Sequence, residues 1–317
     1  MQQGLHEAAE NHEAGLEVKA EEPAGARSPR GERMELLREF DPWKDPLCTC
    51  PPKLSLNPYT GCPHACLYCY ITSYIPSGFR CRPKRDLPRR LERDLERMRG
   101  QPLISMSNSS DPYPPQEREL LLTRSCLERL VGRARVLVVT KSDLVLRDLD
   151  LLSRLPCAVS VTLTTLRPGL AGRLEPGAPP PERRLRALRE LSEAGIPTSL
   201  RLDPLIPGLN EGEVEEIVEA AASAGVKHVT SSTFKPRADG WRRMERGFPE
   251  LFPRLRELYS RGERRKRSLY LPKEVRRALL ERVREACLSA GLTFSTCREG
   301  LTELNRAPSC DGSHLIG

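Results

Sequence analysis

Six short apolar runs, at residues 53–57, 103–106, 136–140, 158–163, 197–202 and 226–231, alternate with stretches of ten to fifteen residues that carry a helical repeat. In the first of those stretches, 87–98, Leu87, Leu91 and Leu95 recur every fourth residue and so share one helical face. Further helical patterns span 117–131, 144–155, 181–194 and 211–224, and Gly195 and Gly225 stand where two of them should stop. Strands separated by helices of this length make βαβ units, whose strands pair in parallel. The pattern predicts an α/β fold, a partial (βα)6 TIM-type barrel, with its chemistry on the loops at the carboxyl ends of the strands.

The first run leads into Asn57-Pro58-Tyr59-Thr60-Gly61-Cys62-Pro63-His64-Ala65-Cys66-Leu67-Tyr68-Cys69-Tyr70. Cys62, Cys66 and Cys69 fall at spacings of four and three, so one loop can wrap all three around one face of an iron–sulfur cube. A fourth thiolate would close such a cluster. Three leave one iron open to an exogenous ligand, the same distinction that separates catalytic from structural zinc sites. Pro58 and Gly61 punctuate a turn, and Gly61 lets the backbone approach the metal closely. Tyr68 and Tyr70 flank the last thiol, where they can shield the site from water. The same thiols could instead be zinc ligands, with His64 or Cys50 as the fourth. Eleven cysteines, with no signal peptide and no run of about 18 apolar residues, predict a reducing, cytoplasmic setting and no membrane partner.

Residues 1–33, rich in Glu, Ala, Gly and Arg, have no sustained apolar face and are expected to form a disordered tail. Residues 34–52 read as a Pro-punctuated lead-in, 53–240 as the barrel, and 241–317 as a helical extension with helices over 248–259 and 273–290. Cys48 and Cys50 in the lead-in are candidate ligands for a second cluster or a zinc. Cys297 and Cys310, with Cys287, are candidates for an auxiliary cluster. The formal net charge of +8 makes nucleic acid a candidate partner, with 79–85 and 261–267 as basic segments. Most of that charge is Arg interleaved with Glu, the pattern of a solvated, ion-paired surface.

The Cys-x-x-x-Cys-x-x-Cys-Tyr run of residues 62–70 resembles the cluster loop of the radical S-adenosylmethionine (SAM) enzymes. The resemblance implies a 4Fe–4S cluster on Cys62, Cys66 and Cys69, with its open iron chelated by the amino and carboxylate groups of SAM. It also implies reductive cleavage of SAM to a 5′-deoxyadenosyl radical, fed by an electron donor such as a flavodoxin or ferredoxin. The cofactor carries the hard chemistry and the protein orients it. Polar residues that follow the strands are then the candidates to hold SAM. Ser107, Asn108 and Ser109 are placed for its ammonium group, and Asp111 either joins them or closes an Asx turn. Lys141 is placed for the carboxylate, or is a surface lysine beside a helix cap. Ser160, Thr162 and Thr164 alternate with apolar residues and so face the interior. Arg201 and Asp203 are inward candidates or a mutual ion pair, and Ser232, within Ser231–Phe234, is a candidate for the adenine.

Further marks narrow the resemblance to the spore photoproduct lyase-like, or DNA repair photolyase-like, branch over residues 57–210. They are Asn57-Pro58-Tyr59-x-Gly61-Cys62, Asp111-Pro112-Tyr113-x-Pro115-x-Glu117, Lys141-Ser142, Arg147-Asp148, Leu174-Glu175-Pro176-x-Ala178-Pro179, Ala194-Gly195-Ile196 and Pro204-Leu205-Ile206-Pro207-Gly208-x-Asn210. Tyr68 and Tyr70 match that branch's tyrosines and are the candidate catalytic residues. One position departs from the branch. Its lyases proper carry a hydrogen-donating cysteine just after the second strand, where this chain has Ser107, Asn108, Ser109 and Ser110, and the nearest thiol in sequence is Cys126. The reading is a radical SAM enzyme, of lyase or oxidoreductase type, whose substrate is unidentified and for which nucleic acid is a candidate. The alternative is a zinc- or cluster-stabilised nucleic-acid-binding protein without catalysis.

Overall fold

Each of the six apolar runs becomes a strand of one sheet in the computed structural model, which describes residues 34–40, 45–106 and 110–317. The tail expected over 1–33 lies outside the described residues, as do Ser107, Asn108 and Ser109. In chain order come β1 (Arg38–Glu39), β2 (Leu54–Leu56), the pair β3 (Tyr59–Thr60) and β4 (Arg82–Pro83), α1 (Leu87–Glu96), β5 (Leu103–Met106), α2 (Glu117–Leu120) and α3 (Leu122–Leu130). There follow β6 (Arg135–Thr140), α4 (Leu149–Leu152), β7 (Cys157–Thr162), α5 (Pro168–Leu174), α6 (Pro181–Glu193), β8 (Thr198–Leu205), α7 (Val214–Ser223) and β9 (His228–Thr233). The remainder forms α8 (Ala238–Gly247), α9 (Phe252–Ser260), the hairpin β10 (Glu263–Arg265) and β11 (Ser268–Tyr270), α10 (Lys273–Ser289) and β12 (Thr293–Thr296).

The main sheet has the order β1-β2-β5-β6-β7-β8-β9-β12 and is open at both edges. β1 runs antiparallel to β2, and all other neighbours pair in parallel. This is the α/β partial barrel that the alternation predicts, with one parallel strand more. β12 carries two threonines, a serine and a single phenylalanine, too little apolar content to signal a strand until pairing with β9 buries it. The stretch 117–131 breaks at Leu121, whose φ of 51° ends α2 and opens α3. The stretch 144–155 begins as a 3-10 turn over Asp143–Asp148 before α4. α8 is unexpected, because its apolar face rests on only Trp241 and Met244, which pack on Phe248 and Phe252 in a second core.

Alternation on β7 assigns the faces. Val159 and Val161 enter the core shared with Leu188 and Leu191 of α6, so Ser160 and Thr162 face the barrel interior. Each such apolar side chain contributes about 1.5–3 kcal/mol by leaving water. At the amino ends of the strands the interior is filled by residues 309–316. Lys53 forms a buried ion pair with Asp311, Thr230 Oγ1 donates to the Cys310 carbonyl at 2.9 Å, and Ile316 packs on Leu103, Leu137 and Ala158. Gly312, at φ 83°, passes so close to β8 that a Cβ would come within 2.9 Å of Ser199 Oγ. With that end filled, the carboxyl ends of the strands are the candidate place for a ligand.

The lead-in is fastened by Asp94 of α1, fully buried, which accepts the amides of Glu35, Leu36 and Leu37 at 2.7, 2.7 and 2.8 Å. Asp94→Ala leaves those donors without a partner, at a cost of about 1–3 kcal/mol. Hydrogen exchange is expected to show faster exchange at 35–37 while β6 stays protected. Unchanged rates at 35–37 would contradict this role for Asp94.

Candidate active site

β2 ends at Leu56, and the cysteine loop rises from its carboxyl end. The loop is clamped on three sides. On the first, the Cys62 amide donates to Gly78 O at 2.8 Å, and Gly61, at φ 79°, lies where a Cβ would be 2.2 Å from Arg80 O. On the second, the Gly177 amide donates to His64 O and the Leu67 amide to Leu174 O, both at 2.9 Å. A Cβ on Gly177 would stand 2.2 Å from Pro63 O, so only glycine permits that approach. On the third, Arg243 of α8 donates to Leu67 O at 3.1 Å and to Cys69 O.

The three cysteines are free thiols, Cys66 buried and Cys62 and Cys69 partly so. Burial pushes all three thiols up, Cys62 to about 12. Against this, backbone amides of Asp111 and His64 favour the Cys62 thiolate, and the Ile71 amide that of Cys69. The charge of Lys141 favours the thiolates of Cys66 and Cys69. Buried thiols of this kind are held as thiolates by a bound metal, whose charge overturns the cost of burial. Amide groups turned toward sulfur are also how proteins tune iron–sulfur clusters. The donor set therefore fits a cluster. Among the described residues no group of three or more His, Cys, Asp or Glu gathers as a single metal ion would require. A cube, by contrast, spreads its thiolates over separate irons. His64, offered above as a fourth zinc ligand, is buried with Nδ1 3.5 Å from Asp111, and burial pushes its pKa down.

Behind the loop stands a buried carboxylate, Glu175, that the sequence marks only as part of a motif. Glu175 pairs with Arg184 at 2.5 Å and Lys141 at 3.7 Å, and it accepts the Tyr68 hydroxyl. Burial alone would raise its pKa, but Lys141 and Arg184 hold it at about 2. Its only sequence signal is its place in the Leu174-Glu175-Pro176 motif.

Asp111 is spent on the chain itself. It accepts Thr140 Oγ1 at 2.6 Å, the Lys141 amide at 2.7 Å and the Tyr113 amide at 2.9 Å, the last closing an Asx turn. Ser142 caps the turn after β6 by accepting the Leu144 amide. Arg201 and Asp203 do pair, at 3.1 Å, and Arg201 also reaches Cys297 Sγ at 3.3 Å. Asp203 accepts Ser232 Oγ at 2.6 Å. Thr162 is buried, and Ser160 Oγ and Thr164 Oγ1 are buried hydroxyls without a protein partner.

The two tyrosines part company. The Tyr68 hydroxyl is held by Glu175, whereas Tyr70 is 40% exposed and stacks on Tyr74 at 5.9 Å. The Arg237 guanidinium lies 5.5 Å from the Tyr70 ring and 5.9 Å from that of Tyr74. The expected auxiliary trio is not assembled. Cys287 faces inward from α10, fully buried in the apolar core, whereas Cys297 lies beside Arg201 and Cys310 lies against Cys50.

A mainly parallel α/β sheet with a thiol loop after its first parallel strand defines the class. Residues 56–221 match the family model of the radical SAM superfamily. The chain is 36% identical over 168 residues to the uncharacterized protein MJ0683 of Methanocaldococcus jannaschii, a match covering 51% of this chain and 63% of that one. It is 30% identical over 254 residues to the uncharacterized protein Rv2578c of Mycobacterium tuberculosis, covering 74% and 73%. Among solved structures, a spore photoproduct lyase variant with bound AdoMet and dinucleoside spore photoproduct superposes with a TM-score of 0.61, covering 80% of this chain and 79% of that one. At 18% identity that likeness concerns the fold. The chain belongs to the radical SAM superfamily, and that membership makes it an enzyme. No helix among the described residues is long and apolar enough to cross a membrane.

Proposed function

We propose that the chain holds a 4Fe–4S cluster on Cys62, Cys66 and Cys69 and binds SAM beside it, at the carboxyl ends of the strands. The supporting observation is the clamped loop, whose three free thiols carry amide groups at Cys62 and Cys69 and lie in the field of Lys141. When bound, the cluster supplies the electron that cleaves SAM to a 5′-deoxyadenosyl radical, replenished by a flavodoxin- or ferredoxin-type donor. Lys141 offers SAM a cation, and the Ser160 hydroxyl has hydrogen-bonding capacity to spare. Thr162, Arg201 and Ser232, with Ser107, Asn108 and Ser109 after β5, complete the proposed cofactor contacts. Asp111 braces the loops after β5 and β6. Tyr68, its hydroxyl committed to Glu175, shields and positions.

A nucleic-acid base is the substrate class we favour. Tyr70, 40% exposed and stacked on the half-buried Tyr74 beside Arg237, offers an aromatic, cationic surface of the kind on which bases stack. The fold likeness to an enzyme solved with a dinucleoside adds support. Repair by thiol quenching after the second strand is not part of the proposal, because Cys126 is fully buried in α3. Anaerobic reconstitution, reduction and addition of SAM tests the reading, with 5′-deoxyadenosine as the expected product. Absence of that product, with zinc in the purified protein and salt-dependent binding to DNA or RNA, would instead support a non-catalytic binding protein.

A further inference from the structure

Beyond the cluster loop the fold brings together two thiols that lie 260 residues apart in the chain, Cys50 Sγ and Cys310 Sγ, at 3.2 Å. Cys50 belongs to the lead-in before β2, and Cys310 to the segment that fills the barrel interior. We propose that Cys50 and Cys310 form a dithiol–disulfide couple whose oxidation fastens the C-terminal segment inside the barrel.

Three observations carry the proposal. The sulfurs are already in contact, and a disulfide, at about 2.05 Å, requires a closure of only about 1 Å. Cys310 is held in place on both sides, by the hydrogen bond from Thr230 to its carbonyl and by the buried Lys53–Asp311 pair next to it. The pair also has a route to solvent, because Cys48 and Cys50 are partly exposed and their thiols are hydrogen-bonded to each other.

The oxidant is a low-molecular-weight disulfide. A Cys50 or Cys48 thiolate attacks it and expels one small thiol, leaving a mixed disulfide. The Cys310 sulfur then displaces the second small thiol, either directly or after transfer from Cys48 to Cys50. In total, two protein thiols lose two protons and two electrons, and the oxidant disulfide takes them up to become two thiols. The hydrogen bond with Cys310 and burial push the Cys50 thiol up to about 12, so exchange is slow at neutral pH and answers a sustained oxidising poise.

The test uses the full chain, incubated anaerobically with oxidised glutathione, quenched with acid, alkylated and digested. The expected result is a loss of about 2 Da and a cross-linked peptide joining Cys50 to Cys310, both reversed by dithiothreitol. Cys48→Ser keeps the cross-link and Cys310→Ser loses it. The oxidised wild type should also melt at a higher temperature than the reduced form, a shift absent from Cys310→Ser. A Cys48–Cys50 bridge, glutathione adducts alone, or no oxidation at all would overturn the proposal. So would iron or zinc retained on these thiols in a chain with Cys62, Cys66 and Cys69 replaced by alanine. Because the wild-type cross-link is read directly, a misfolded variant does not obscure the outcome. No cluster or SAM is needed, so failure here leaves the radical SAM reading untouched.

Discussion

Cys66→Ala is expected to reduce 5′-deoxyadenosine formation to the level of a protein-free control. Cys66 is the middle thiol of the loop and the buried one, at 6% exposure. On the proposed ligand set of three thiolates, losing one would remove a corner of the cluster, and no described group of side chains is gathered to replace it. The fold should survive, because the contacts that clamp the loop are made by the backbone. Gly78 O, Leu174 O and the Gly177 amide bind main-chain groups of Cys62, Leu67 and His64, and none of them needs the Cys66 sulfur. The measurement is therefore threefold: product by chromatography and mass spectrometry, iron per chain after reconstitution, and the thermal melt. Product at the wild-type level would remove Cys66 from the cluster. A collapsed melt would mean the loop needs its metal to fold, and Cys62→Ala would then be compared under the same conditions.

Glu175→Gln is expected to lower stability by about 3–5 kcal/mol, the usual cost of stripping one member from a buried charge cluster. The substitution keeps the shape and removes the charge that Arg184, 1% exposed, pairs with at 2.5 Å. It also leaves Lys141 facing Arg184 without the anion between them. The sign with pH follows from the depressed carboxyl, about 2 in the fold against an ordinary 4.5. The unfolded chain binds the proton first, so the carboxylate's contribution is complete above 4.5 and is lost as pH falls from there toward 2. Asp311, held at about 2 beside Lys53, acts in the same direction. Denaturant melts of wild type and Glu175→Gln should differ most near neutral pH and converge as pH drops below 4.5. A constant difference across that range would mean that Glu175 is not the titrating group.

Much of this was legible before any coordinates, and the reason is local. The apolar runs that became β2 and β5–β9 carry their own signal, and the alternation Val159-Ser160-Val161-Thr162 already separates core from interior. The cysteine spacing is likewise a property of a dozen consecutive residues. What escaped was assembled across the chain. Arg243 clamps Cys69 from 174 residues away, on a helix whose apolar face is only Trp241 and Met244. β12 becomes a strand only because β9 offers it an edge. Asp111 reads in sequence as either a SAM contact or the closer of an Asx turn, and only the partners brought by Thr140 and Lys141 show the carboxylate engaged by the chain itself. Tyr68 and Tyr70 read alike in sequence, as neighbours of the last thiol, but Tyr70 stacks on Tyr74 while Tyr68 turns to Glu175. Sequence adjacency says which residues share a loop, and only the packed loop decides which way each one points.

The segment that fills the interior also sets an order of events during synthesis on the ribosome. Lys53 emerges early, but the carboxylate that neutralises it lies 258 residues later. Until Asp311 arrives, the Lys53 ammonium in the paired sheet can stay charged only in contact with water, and the hydroxyls of Thr230 and Ser295 lack the carbonyls they bind. The amino-terminal strands can pair as they appear, yet the inside of the barrel must stay wet while translation continues. A nascent chain stalled before residue 309 should therefore present a hydrated, loosely closed sheet of the kind that chaperones hold, and the arrival of residues 309–316 should tighten it in one late step.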